Sequence, residues 1–136
     1  MIQAPGPGLQ DKLTLTSLRK GSAFYRITRP EHPSPLYFDH GQTSRFNAPN
    51  GEYGVCYMAE SVEGAFAESV GHSVATRFAP AQTKVIDEAT LESVHIYRVS
   101  LINTMRAIDL CGPALPRLNI DNQINTSEAP YTIPQL

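Results

Sequence analysis

Four side chains in this sequence could do chemistry together: Arg26 in "AFYRIT", Arg45 in "SRFN", Tyr57 in "CYMAES" and Glu68 in "AFAE". Arginine offers a planar fork that matches phosphate oxygens. A tyrosine ring stacks on an aromatic base while its hydroxyl bonds a sugar. A carboxylate beside a sugar carbon stabilises an oxocarbenium-like transition state. Together these are what a site needs to split a glycosidic bond in a dinucleotide. Each residue also has a plainer alternative. Arg26 and Arg45 could be solvated surface arginines, Tyr57 a core residue with its hydroxyl satisfied, and Glu68 an ordinary helix-surface carboxylate. Asn47 and Gly51 shape the loop between them, with Asn47 a further candidate for contact with ribose or phosphate. Glu60 is read as an acceptor for N–H groups at the start of a helix.

The elements that must hold these residues can be read in outline. "SAFYRITR" alternates as a strand, with Ala23, Tyr25 and Ile27 on one face and Phe24, Arg26 and Thr28 on the other, and Pro30 ends it. Residues 30–54 carry several prolines and glycines and little periodicity, which predicts a long loop. "YGVCYMA" is short and apolar on both faces, the pattern of a buried central strand. Ser61 then caps a helix whose buried stripe is Val62, Ala65, Phe66 and Val70, with Glu63 at its positive end and Glu68 at the stripe's edge. Further on, "SVHIYRVSLI" and "RAIDL" read as strands, broken by Cys111-Gly112-Pro113, with short helix and loop beyond. "DKLTLTSLRKG" fits either a short helix ended by Gly21 or a strand. The pattern predicts an α+β domain with strands outnumbering helices in a mostly antiparallel sheet. Residues 1–10 form a flexible lead, and residues 11–136 make a single domain.

Composition narrows the chemistry. The 136 residues carry 11 Lys+Arg against 13 Asp+Glu, a formal net charge of -2, which gives no general reason to bind nucleic acid or an anionic membrane. The first ten residues lack the basic and apolar regions of a secretory signal, and no apolar run approaches a membrane span, so the expected address is the cytoplasm. Cys56 and Cys111 stand in no metal-ligand spacing and are read as free thiols. His32, His40, His72 and His95 share no ligand spacing either, and neither a dinucleotide glycine fingerprint nor a phosphate-binding P-loop is present, so no metal is expected.

"FYRITRP" followed by "SRFNAPNGEYGVCYMAESVEGAFAE" resembles the RES domain family, whose members share a Y-R strand and a G-R-F-N…G…Y-L-A-E-S…A-x-x-E block. The likeness covers roughly residues 22–112. It implies a fold similar to ADP-ribosyltransferases and a toxin of a bacterial toxin–antitoxin pair. The substrate it implies is NAD, cleaved by phosphorolysis with inorganic phosphate, by hydrolysis, or by transfer of ADP-ribose to a protein. The implied partner is an Xre-type helix-turn-helix antitoxin whose C-terminal segment blocks the active site; a homodimer is a further implied assembly. The functional residues map onto Arg26, Arg45, Tyr57 and Glu68, with Arg26, Arg45, Asn47 and Tyr57 toward the nucleotide. Two departures stand out. Ser44 replaces the glycine before the arginine, and the late serine segment that completes the family pattern has no counterpart; Ser127 sits in a polar loop without that context. A truncated or divergent small member is therefore expected. An inactive RES-like binding protein and an unrelated phosphate-binding module are the competing readings.

Overall fold

The computed structural model describes residues 7–32, 34–41, 46–71 and 86–118. These described residues fall into two compact units: one from those within Met1–Lys20, Phe38–Val55 and Asn103–Leu136, the other from those within Gly21–Tyr37 and Cys56–Ile102.

The first unit is built on a two-stranded antiparallel sheet. Its strands are β1 (Leu15–Leu18) and, near the end of the chain, Met105–Ile108, here called β4. They pair from Leu15↔Ile108 to Leu18↔Met105. Beyond the ladder, the Asp109 N–H donates to the Thr14 carbonyl (2.8 Å) and the Lys20 N–H to Thr104 Oγ1 (3.0 Å). The two alternatives for residues 11–21 resolve by position. A single helical turn, α1 (Leu9–Lys12), follows Gly8 at φ +86°, and the strand β1 then runs over Leu15–Leu18 and ends before Gly21. Branched threonine side chains suit the pleated backbone better than a helix. A short helix over Ala114–Arg117 buries Ala114 and Leu115, with Leu118 buried just after it.

This unit also contains the segment around Asn47. Asp39 bridges Val55, and Gly54 lies so close to the Asp39 carbonyl that a Cβ at position 54 would collide with it. A glycine there lets the two backbones approach, which is the reason for this residue type at the crossing.

In the second unit, β2 (Ala23–Thr28) pairs antiparallel with β3 (His95–Ser100) through six residue pairs, from Ala23↔Ser100 to Thr28↔His95. The Gly21 N–H to the Leu101 carbonyl (2.8 Å) and the Leu101 N–H to the Ser22 carbonyl (3.0 Å) close its end. On its other side β2 meets a single bridge: Tyr25 and Ala59 exchange N–H···O bonds of 2.7 and 2.9 Å. The helix α2 (Val62–Phe66) packs on β2 and buries Ala65. Ser61 caps it as the sequence predicts, its hydroxyl accepting the Gly64 N–H at 3.0 Å. A second helix of this unit, α3 (Glu88–Ser93), escaped the sequence reading because its one apolar residue besides Ala89, the 42%-exposed Leu91, gives no buried stripe.

Three expectations need correction. "YGVCYMA" is not a continuous central strand: its ends bridge separately, Val55 to Asp39 and Ala59 to Tyr25, and residues 56–58 join no ladder. Apolar content alone cannot tell a buried strand from a segment whose side chains point into local contacts. The helix after Ser61 does not run on as one α-helix but widens over Ala67–Gly71 into a π turn, and of its predicted stripe Ala65 is buried while Val62, Phe66 and Val70 are half-buried. Among the described residues strands do not outnumber helices: four strands stand beside four short α-helices and the π turn, in two separate antiparallel sheets. The architecture is mixed α+β, with small antiparallel sheets and few residues in helices.

Candidate functional site

Arg26 sits on β2, opposite Tyr97 of β3, and is half-buried. One end of its guanidinium is enclosed. Nη1 donates to the carbonyls of Pro35 (2.6 Å) and Tyr37 (2.6 Å) and lies 2.8 Å from the Cys56 sulfur. Nε and Nη2 make no hydrogen bond among the described residues, and no carboxylate pairs with the group there. A guanidinium carries five N–H donors in a rigid plane. Arg26 thus has one nitrogen engaged by neutral acceptors and a two-nitrogen edge still able to take an anion in the fork geometry that suits phosphate.

The acceptors around Nη1 belong to a folded turn. The Leu36 N–H donates to Ser34 Oγ (3.2 Å) and the Tyr37 N–H to the Ser34 carbonyl (3.3 Å), while the Tyr37 ring stacks on His32 with centroids 4.4 Å apart and planes inclined by 15°. Such side-chain-to-backbone bonds are how a serine stabilises a turn without a ladder. The sequence reading of this stretch as loop holds, but it missed that the loop is ordered around an arginine.

Tyr57 follows Cys56 directly and is 41% exposed, which removes the alternative of a core tyrosine. Glu68 lies in the π turn after α2, exposed, its carboxylate without a hydrogen bond among the described residues. Single π turns inside helices occur frequently at functional sites. Arg26, Cys56, Tyr57 and Glu68 all belong to the second unit, whose β2 carries Arg26, receives the Ala59 bridge and packs against α2. Glu60 is exposed, and the N–H of Gly64 is taken by Ser61 rather than by Glu60.

Asn47 is different. It is fully buried (0% exposed); its Nδ2 donates to the Gly41 carbonyl (2.7 Å) and its Oδ1 accepts the Val55 N–H (3.0 Å). Its amide joins the two ends of the loop, so the loop-shaping role is the one its bonds describe, and a side chain with no exposed surface offers nothing to a ribose or phosphate. Gly51 adopts φ +73° and its carbonyl meets His40 Nδ1 at 3.1 Å, a turn position where a left-handed backbone favours glycine. Arg45, His72 and Ser127 lie outside the described residues. Cys56 and Cys111 are both free thiols. Among the described residues no cluster of His, Cys, Asp or Glu could hold a metal ion, and no helix is long and apolar enough to cross a membrane.

No curated protein and no solved structure matches the chain. One family model does, the RES domain, over residues 23–136, so the match begins at the first residue of β2 and continues past residue 112, where the motif likeness ends. At the level of the family this carries a toxin-like, NAD-related function. With the Y-R strand, the "CYMAES" segment and the A-x-x-E turn all inside the matched span, the chain belongs to the RES domain family.

Proposed function

We propose that this protein is an NAD-degrading toxin that cleaves the nicotinamide–ribose bond with inorganic phosphate as acceptor, on a fold of the ADP-ribosyltransferase type. The observation that carries the reading is Arg26: a half-buried guanidinium held at one nitrogen by neutral acceptors, its Nε–Nη2 edge unbonded and uncompensated by any carboxylate among the described residues. A cation in that state is stabilised by an anionic ligand, and a pyrophosphate presents oxygens at the spacing of the fork. Tyr57, 41% exposed, packs on the nicotinamide side. Glu68 stabilises positive charge on the ribose as the bond to nicotinamide breaks.

The step balances without a redox partner. The C–N bond electrons leave with nicotinamide, and a phosphate oxygen forms the new bond to the ribose carbon, giving ADP-ribose-1''-phosphate. Water in place of phosphate gives ADP-ribose, and a protein side chain gives an ADP-ribosylated protein. Exclusion of water at the moment of cleavage favours phosphate. A cytoplasmic toxin of this kind pairs with an Xre-type helix-turn-helix antitoxin.

The test is product identification. The purified chain is incubated with NAD and inorganic phosphate, and the products are resolved by mass. ADP-ribose-1''-phosphate with free nicotinamide is expected. ADP-ribose as the sole product would make the protein a glycohydrolase, and unchanged NAD would overturn the enzymatic reading.

A further inference from the structure

Binding a pyrophosphate through one edge of a guanidinium requires that the edge be aimed. An arginine side chain has several rotatable bonds, and holding it in one pose costs entropy each time a ligand binds unless the protein has already fixed it. The surroundings of Arg26 contain the means. Its Nη1 is met from three directions by the Pro35 carbonyl, the Tyr37 carbonyl and the Cys56 sulfur, at 2.6, 2.6 and 2.8 Å. Two hydrogens serve these three acceptors, so the sulfur shares a donor with a carbonyl. The same sulfur lies 3.7 Å from the Pro35 carbonyl, within reach of a weak S–H···O bond, and so closes the ring of contacts around the nitrogen. The carbonyls come from a turn fixed by Ser34 and by the His32–Tyr37 stack. Cys56 comes from the segment that supplies Tyr57 and, through Ala59, lies beside β2.

We propose that Cys56, with the 34–37 turn, is a positioning residue: it holds Arg26 Nη1 so that the Nε–Nη2 edge is preset for the pyrophosphate. The inference rests on the reading of Arg26 given above and adds the device that orients it. Among the described residues Cys56 is the only side chain in the anchor, the other two acceptors being main-chain atoms, so it is the member that substitution can remove. Alanine leaves a gap beside Nη1 and lets the guanidinium turn. Serine restores an acceptor at the same place.

The test uses ADP-ribose, which carries the pyrophosphate and lacks the bond to be cleaved, titrated calorimetrically into the intact chain and its variants. Cys56→Ala is expected to raise Kd about fivefold, the loss of one modest hydrogen bond's worth of ordering, and Arg26→Ala about thirtyfold. Cys56→Ser is expected to return Kd to within about twofold of the parent. In the Arg26→Ala background, Cys56→Ala should add nothing, because its effect passes through Arg26. An undiminished effect of Cys56→Ala in that background, or no effect of it in the parent, would overturn the positioning role while leaving the Arg26 reading standing. Failure of the intact chain to bind ADP-ribose, or binding indifferent to Arg26→Ala, would overturn that reading and this inference with it. An independent readout is the nitrogen NMR of the Arg26 guanidinium. Distinct Nη1 and Nη2 signals are expected in the intact chain and in Cys56→Ser, merging in Cys56→Ala; signals equally distinct in Cys56→Ala would show that the carbonyls hold the group alone and would overturn the role of the sulfur.

Discussion

Asn47 and Arg26 are both polar side chains that reach main-chain carbonyls, and the two units of the protein use them in opposite ways. Asn47 is fully buried, and its amide donates to Gly41 on one side and accepts from Val55 on the other. Arg26 is half-buried, gives one nitrogen to Pro35, Tyr37 and Cys56, and keeps an edge unbonded among the described residues. A buried group with its donors and acceptors matched contributes stability and specifies a loop. A charged group with donors in reserve, near solvent, is available to a ligand. On the proposed reading the difference separates a structural residue from a binding residue even though both stand in the segments that carry the family motif.

That contrast can be broken by substitution. The largest effect on ligand binding is expected from Arg26→Ala, which should weaken NAD or ADP-ribose about thirtyfold by removing a charge-assisted contact, with at most about 1 kcal/mol lost in stability because water can reach the carbonyls left behind. Isothermal titration and urea unfolding on the same sample check both halves. Asn47→Ala should do the reverse. Orphaning the Gly41 carbonyl and the Val55 N–H costs about 2 to 3 kcal/mol, read from the urea midpoint, while ligand affinity of the folded fraction stays within about twofold. A stability loss from Arg26→Ala that matched that of Asn47→Ala, with affinity untouched, would make both residues structural. The smallest effect belongs to Ser61→Ala, which removes the cap of α2 and should cost about 1 kcal/mol, visible as a shifted urea midpoint without change in slope.

Much of the scaffold was legible in the sequence. Alternation located β2 and β3, and apolar content β4, to within two residues, because those signals are written in the residues themselves. Ser61 announced its cap for the same reason: the hydroxyl acts three residues away. What failed was nonlocal. The segment from Tyr53 to Ala59 has the composition of a central strand, yet its bridges run separately, Val55 to Asp39 and Ala59 to Tyr25, and neither extends into a ladder. The helix pattern after Ser61 did not disclose the π turn that carries Glu68.

The candidate site shows the same limit. Residue types and motif order drew attention to Arg26, Tyr57 and Glu68, but nothing in the pattern could show that Arg26 is anchored, since two of its acceptors are main-chain carbonyls that every residue possesses and the third, Cys56, is 30 residues away. Cys56 read only as a free thiol, and Asn47 as a loop residue with a second option toward the nucleotide. Burial decided between those options, and burial is a property of the packed chain that a lone asparagine in a polar loop does not signal.

The central claim is that the second unit's residues cleave NAD, and nicotinamide release tests it most directly. The purified chain is given NAD with and without inorganic phosphate, beside Arg26→Ala and Glu68→Gln. The account predicts phosphate-dependent release, lowered in Arg26→Ala at limiting NAD and cut about a hundredfold or more in Glu68→Gln with ADP-ribose affinity kept within about twofold, because the amide preserves shape and removes the charge that stabilises the transition state. Release by Glu68→Gln at the parent rate, or none from a folded parent chain, would contradict it.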